Sequence, residues 1–275
     1  MTSTHSSTLW YVYGVVPADF SAASMPEGLD AAAVFLERGV SGGATALVSQ
    51  LDRPDYQPTA IEEHSGSVEW LSPRALAHDR VLTWASDHGA VVPFPMFSLF
   101  SGRSALQTML GDRAEQLSAT LSRIGNAREY ALRVYRVDAE LLATIHTLSP
   151  KLQEMASNAA KASPGQRYLL ERKLDGEKRT EMRAVTQCIV DEIENGLRTS
   201  ARGVLRSSIP RVADADAARG TMVLNAAFLV APDALSAFQE TLTALVHNRG
   251  TQGFRFDFTG PWPPYHFVKE PTDGV

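Results

Sequence analysis

Met222-Val223-Leu224-Asn225-Ala226-Ala227-Phe228-Leu229-Val230 is a nearly continuous apolar run of strand length, the pattern of a strand buried on both faces. From Pro232 to Asn248, Leu235, Phe238, Leu242 and Leu245/Val246 recur in helical phase. Gly250–Gly253 supplies a turn, and Phe254-Arg255-Phe256-Asp257-Phe258 then alternates strictly, the period of a strand with one apolar face. A strand, a helix and a strand over residues 222–258 decide the class: the chain mixes sheet and helix in α+β fashion.

Toward the N-terminus the period changes. Leu141, Ile145, Leu148, Leu152, Met155 and Ala159 are spaced by fours and threes, a heptad seam. Ser149-Pro150 interrupts it, which predicts two helices or one kinked at the proline. Ser163-Pro164-Gly165 marks a tight break, and a helix is expected from Gln166 to Arg202, with Leu170, Leu174, Met182, Val185, Ile189, Ile193 and Leu197 on its seam. Two long helices across a tight break predict an antiparallel hairpin over about residues 138–203. Residues 137–220 hold 13 Lys+Arg against 12 Asp+Glu with alternating signs, as expected of a solvated surface rather than a polybasic arm.

The first half repeats the α+β alternation. Leu9-Trp10-Tyr11-Val12-Tyr13-Gly14-Val15-Val16-Pro17 is rich in aromatic and β-branched residues and reads as a strand. Ala44–Ser49 reads as a second, with at most a short helix between them over Leu29–Glu37. Residues 52–67 read as a loop. Ser72-Pro73 predicts a helix start, serine as cap and proline in the first turn. Ala90–Phe94 reads as a strand, Ser104–Ile124 as one long amphipathic helix, and Tyr130–Val137 as a strand. This order predicts one sheet with helices on one face, for which a ferredoxin-like βαββαβ plan with an insertion is the simplest template. The expected divisions are a disordered lead at 1–8, an N-terminal ferredoxin-like domain at 9–137, a C-terminal α+β domain with the hairpin at 138–258, and an aromatic and proline-rich tail at 259–275.

Composition narrows function. The 275 residues carry a formal net charge of −5 and 44% hydrophobic residues, which argues against a dedicated nucleic-acid binder and against wholesale disorder. Cys188 stands alone, so an intramolecular disulfide and a cysteine-built zinc site are excluded. No signal-peptide pattern opens the chain, and no apolar run reaches membrane-spanning length, so a soluble, cytoplasmic protein is expected.

Motifs for chemistry are sparse. Gly39-Val40-Ser41-Gly42-Gly43 fits G-x-S-x-G, but that elbow needs a strand before it and a helix after it. Here a charged stretch precedes and a strand-like stretch follows, which favours a turn. A hydrolase using Ser41, with His64 or His78 as base, is the enzymatic alternative, and a small-molecule sensor is the alternative by fold analogy. No two of the seven histidines sit at metal-seeding helical spacings. Asp191, Glu192 and Glu194 read as a solvated helix face, and Cys188 as a small buried hydrophobe.

The tail is the most distinctive segment. In Thr259-Gly260-Pro261-Trp262-Pro263-Pro264-Tyr265-His266-Phe267-Val268, Pro261, Pro263 and Pro264 stiffen the backbone while Trp262, Tyr265 and Phe267 offer large apolar faces. A rigid aromatic segment loses little entropy on docking. It reads as an intramolecular strap or as a docking peptide, and both can hold at once; physics alone favours the strap.

Those residues, with Tyr11-Val12-Tyr13-Gly14-Val15-Val16, Val91-Val92-Pro93 and Leu224–Val230, make the chain similar to the gas vesicle protein L / gas vesicle protein F family. The Gly-Pro-Trp-Pro-Pro-Tyr string is the most specific match, and the matches run from residue 10 to residue 268. The resemblance implies a modified ferredoxin-like N-terminal domain and a C-terminal domain with a helical hairpin. It further implies a non-enzymatic accessory role in gas vesicle assembly: binding the small hydrophobic shell protein or other accessory proteins, without cofactor, nucleic acid or membrane.

Overall fold

The computed structural model describes residues 8–39, 43–209 and 219–268. The chain divides into two compact units, residues 1–129 with 261–275 and residues 130–260. Of the disordered lead predicted at 1–8, residues 1–7 lie outside the described residues, as does the end of the tail from 269, while Thr8 already belongs to the first strand.

The first unit is built on β1 (Thr8–Val16), which pairs antiparallel with β3 (Thr45–Asp52). The remaining strands are β2 (Phe35–Arg38), β4 (Val92–Pro93) and β5 (Leu99–Phe100), giving the order β2-β3-β1-β4 with β5 also on β1. β1 is apolar throughout because both faces are covered. Leu9, Tyr11 and Tyr13 point to one cluster, which includes Ala77, Val81, Leu82 and Ala85. Val12 points to the other, with Leu106, Leu110, Leu117, Leu121 and Ile124. A register shift between Val12 and Gly14 then reverses the parity, so that Val15 joins the second cluster and Val16 the first. Gly14 fits there because a Cβ would stand 2.7 Å from the carbonyl oxygen of Val92.

Helices therefore lie on both faces of this sheet, not on one as the sequence predicted. α2 (Val68–His88) covers the first face, and α3 (Arg103–Asp112) and α4 (Ala114–Ile124) cover the second. The expected single helix over 104–124 breaks at Arg113, whose φ of −108° leaves the helical region. The apolar seam crosses the break in phase, which made it read as one helix. α2 starts before Ser72-Pro73: the Ser67 hydroxyl accepts from Trp70 N–H at 3.3 Å, and Pro73 lies inside the helix. The 52–67 stretch holds a 3₁₀ turn at Arg53–Tyr56 and α1 (Pro58–His64). Leu29–Glu37 is a 3₁₀ turn at Leu29–Ala31 followed by β2. Of the strand expected at Ala90–Phe94, only Val92 and Pro93 form ladder pairs, with Val15 and Gly14.

The second unit contains β6 (from Arg128 to Arg136), β7 (Gly203–Arg206), β8 (Thr221–Val230) and β9 (from Phe254 to Trp262), in the order β7-β8-β6-β9. α8 (Leu235–Gly250) precedes β9 and contributes Phe238, Leu242 and Leu245 to the core. β7 was not anticipated: four residues are too few to declare a period.

Between β6 and β7 lie α5 (Asp138–Leu148), α6 (Pro150–Lys161) and α7 (Pro164–Arg198). Ser149-Pro150 does separate two helices. The Ser149 hydroxyl accepts from Leu152 N–H at 3.2 Å and donates to Glu181 at 2.8 Å. Lys151 reaches Glu177 at 2.9 Å, while Arg167 reaches the carbonyl of Ala160 at 2.9 Å. Those pairings require α6 and α7 to run antiparallel. Leu141, Ile145, Leu152 and Ala159 are buried and Met155 packs at the margin, as the seam predicted.

Candidate functional site

The tail is held within the first unit by its own backbone turns and by four polar contacts, made with Asp79, Glu129 and Arg123. Pro263 and Pro264 are buried. The Tyr265 N–H donates to Pro263 O at 2.7 Å and the Phe267 N–H to Pro264 O at 3.1 Å, closing a compact turn after β9. Proline at 263 and 264 presets this turn. Phe267 is 4% exposed. Tyr265 packs against the cluster of Tyr11, Tyr13 and Val81 and donates its hydroxyl to Asp79 at 3.2 Å. Burial pushes the Tyr265 phenol up, and the Asp79 charge adds to the shift.

Glu129 and Arg123 complete the clasp. Glu129 is 2% exposed, and one carboxylate oxygen accepts the His266 backbone N–H at 2.9 Å. Its other oxygen lies 2.6 Å from His266 Nδ1. Arg123 donates to Phe267 O at 2.7 Å. Sequence reading missed both, because neither sits in a motif and the partners are far away along the chain. Tyr265, Phe267, Pro263 and Pro264 thus come together as a strap. Trp262, the last residue of β9, is 41% exposed, and Pro261 is exposed beside it.

Next to the strap, Val268 lines an open groove of about 660 Å³ with Phe94, Phe97, Phe100, Met109 and Leu117. The apolar density of residues 90–100 was visible in the sequence, but its role as a groove wall was not. The short β4 and β5 leave most of that segment's side chains only partly covered.

Where the structure describes them, the residues weighed for catalysis have other partners. Ser41 lies outside the described residues. His64 is exposed and stacks on Trp70 at a centroid distance of 5.6 Å. His78 is buried, with Nδ1 2.6 Å from the Tyr11 hydroxyl and its ring stacked on Tyr13. Burial lowers its pKa to about 4. It is a core histidine with a satisfied ring nitrogen. Asp191, Glu192 and Glu194 are ion-paired rather than merely solvated: Asp191 and Glu194 take Arg206, Glu194 also takes Arg198, and Glu192 takes Arg249. Glu194 is 6% exposed, because β7 brings Arg206 over it. Cys188 is exposed, not buried as its neighbours Val185 and Ile189 implied. Among the described residues no group of three metal-ligating side chains gathers, and no helix is long and apolar enough to cross a membrane.

An α+β protein with antiparallel pairing in its sheets and a clasped aromatic strap is the class these features define, and comparison with known proteins gives it a family. Residues 9–269 match the family model described as gas vesicle synthesis protein GvpL/GvpF, and the chain belongs to that family. It is similar to gas vesicle protein L of Streptomyces sp. (strain CB03234), 27% identical across 82% of this chain and 80% of that protein. It is also similar to gas vesicle protein L1 of Halobacterium salinarum, 25% identical across 94% of this chain and 90% of that one. In fold it resembles the crystal structure of gas vesicle protein GvpF from Anabaena sp. PCC7120, with a TM-score of 0.69, 20% identity, and coverage of 96% of this chain and 99% of that one.

Proposed function

We propose that this chain is a gas vesicle accessory protein that binds the small hydrophobic shell protein or other accessory proteins and assists nucleation and assembly. It acts in the cytoplasm and at the vesicle, without cofactor or catalysis. The observation that carries this reading is the family match over residues 9–269. The chemistry of the surface supports it. A shell subunit exposes apolar faces and strand edges before it assembles. The groove walled by Phe94, Phe97, Phe100 and Met109 offers an apolar surface for such a face. Trp262 and Pro261 lie exposed at the start of the tail, and we assign them to partner contact. Tyr265, Phe267, Pro263 and Pro264 we assign to docking the tail.

We further propose that the two units are domains on a shared ferredoxin-like plan. The orders β2-β3-β1-β4 and β7-β8-β6-β9 support it, since each is second-third-first-fourth in the unit's own chain order. The N-terminal unit replaces the first crossover helix with a 3₁₀ turn, and the C-terminal unit expands it into α5, α6 and α7.

The test is a co-expression pull-down against the shell protein, with Phe100→Asp/Met109→Glu alongside. Retention of the wild type and loss by the folded variant is the expected result. Equal retention of both removes the groove from the reading. Retention of neither, by the shell protein or by other gas vesicle accessory proteins, removes the assembly role.

A further inference from the structure

The outer ridge of α7 carries a stripe that nothing in the chain explains. Leu169, Arg172, Gly176, Arg179 and Arg183 are spaced three, four, three and four, and all are exposed. Tyr168 stands beside Leu169, and both are 65% exposed. The stripe lies on the side of α7 away from Leu174 and Val185, which pack in the core, and its helical phase runs on into the buried Thr186, Val190 and Glu194. Along the helix it extends roughly 21 Å.

Charge on this stripe is of one sign. Among the described residues, Arg172, Arg179 and Arg183 have no carboxylate partner. Of the acids in the same stretch, Asp175 pairs with Lys178, and Glu177 and Glu181 pair with Lys151, while the exposed Glu171 lies about 100° round the helix from Arg172. A count along the chain sees balanced signs, whereas on the helix the three arginines share one ridge, with Asp175 at its edge paired to Lys178.

Gly176 is the second observation. It sits inside a 35-residue helix, and a Cβ added there would meet nothing within 4 Å. Glycine disfavours a helix interior more than any residue but proline, and no intramolecular approach requires it here. A glycine in an exposed 3-4-3-4 stripe lets another backbone come close, as small residues do wherever helices pack tightly.

We propose that the outer ridge of α7 is a docking site for an acidic amphipathic helix of another protein. The spacing is that of a helix-on-helix seam. Leu169 and Tyr168 supply the apolar anchor at the hairpin tip, the arginines pair with carboxylates, and Gly176 admits the partner's largest side chain. Three guanidiniums in one line suit carboxylates bidentately and set register. A protein partner is favoured over nucleic acid or lipid because the apolar anchor and the glycine gap are features of helix packing, and because the whole chain is acidic. The inference involves none of the strap residues and stands apart from the gas vesicle reading.

The experiment uses the full chain and a synthetic 28-residue helical peptide, leucine at its apolar positions and glutamate at the flanking ones, with a lysine-for-glutamate twin. Fluorescence anisotropy should show the acidic peptide bound, more weakly as salt rises, and its twin not bound. Arg172→Glu/Arg179→Glu/Arg183→Glu should weaken acidic-peptide binding at least tenfold and gain binding of the twin, with circular dichroism unchanged. Gly176→Leu should weaken binding several-fold while raising helix content. No binding of the acidic peptide by the wild type overturns the proposal, as does binding that ignores Gly176→Leu. Equal or tighter binding of duplex DNA or of phosphatidylserine vesicles also overturns it, in favour of a general polyanion surface.

Discussion

Glu129 holds His266 twice. One carboxylate oxygen accepts the backbone N–H and the other lies 2.6 Å from ring Nδ1, although the two residues are 137 positions apart in the chain. Because Glu129 is almost fully buried, its charge is satisfied mainly by this contact. Glu129→Ala should therefore cost about 1.5–3 kcal/mol, the range for hydrogen bonds to a charged group. Urea denaturation reads the loss. Limited proteolysis should also cut near Phe267 faster in the variant, since the clasp closes on that residue. An unchanged cleavage rate at an unchanged midpoint would mean that Arg123 and Tyr265 hold the strap without it.

His78 makes stability depend on pH. Its folded pKa of about 4 lies below the ordinary value of 6.5, chiefly because burial disfavours the charged ring. As pH falls, the unfolded chain takes the proton first. The fold's advantage is complete above pH 6.5 and is lost progressively down to pH 4, about 3 kcal/mol in all. His78 faces Tyr11, Tyr13 and, more weakly, the Asp79 charge. His78→Gln keeps a polar partner for Tyr11 but does not titrate. Its unfolding free energy should fall less steeply than the wild type's between pH 6.5 and 4; parallel curves would show that His78 is already charged in the fold.

Ser149 joins two helices with one hydroxyl, capping α6 at Leu152 and reaching Glu181 on α7. It is fully buried. Ser149→Ala should cost about 1–2 kcal/mol, the range for a lost N-cap. Ser149→Asp keeps the cap but sets a second carboxylate against Glu181, so it should be no better than alanine, and Glu181→Gln should partly restore it. Chemical denaturation of the three variants decides the matter.

The α+β class was legible because strands such as Leu224–Val230 and Phe254–Phe258 carry their period locally, and because the heptad over Leu141–Ala159 is long enough to be unmistakable. The family was legible in the rigid string from Gly260 to Tyr265. What failed was whatever depends on a partner far away in sequence. Arg113 breaks a helix whose seam continues through it, so periodicity alone joins α3 to α4. Cys188 sits among apolar residues in sequence but is exposed on α7, beside the junction of α5 and α6. The strap was half legible: prolines and aromatics announced a rigid segment, while Glu129, Arg123 and Asp79, which fasten it, look like ordinary surface charges in a linear reading.

The exposed Trp262 and the engaged Tyr265 separate docking of a partner from docking of the tail. Tyr265 packs on the first unit's core and donates to Asp79, so Tyr265→Ala should cost about 2 kcal/mol, within the range for lost packing and hydrogen bonding together. Trp262 is 41% exposed, and Trp262→Ala should cost about 1 kcal/mol, less than Tyr265→Ala. If Trp262 contacts a gas vesicle component, the stable Trp262→Ala protein should still restore fewer vesicles than the wild type to a strain lacking the gene, counted by buoyancy and electron microscopy. Tyr265→Ala should fail in proportion to its instability, and growth at lower temperature should recover it. Wild-type vesicle yield from Trp262→Ala would reassign Trp262 to the strap and leave the groove of Phe94, Phe97 and Phe100 as the surface proposed for a partner.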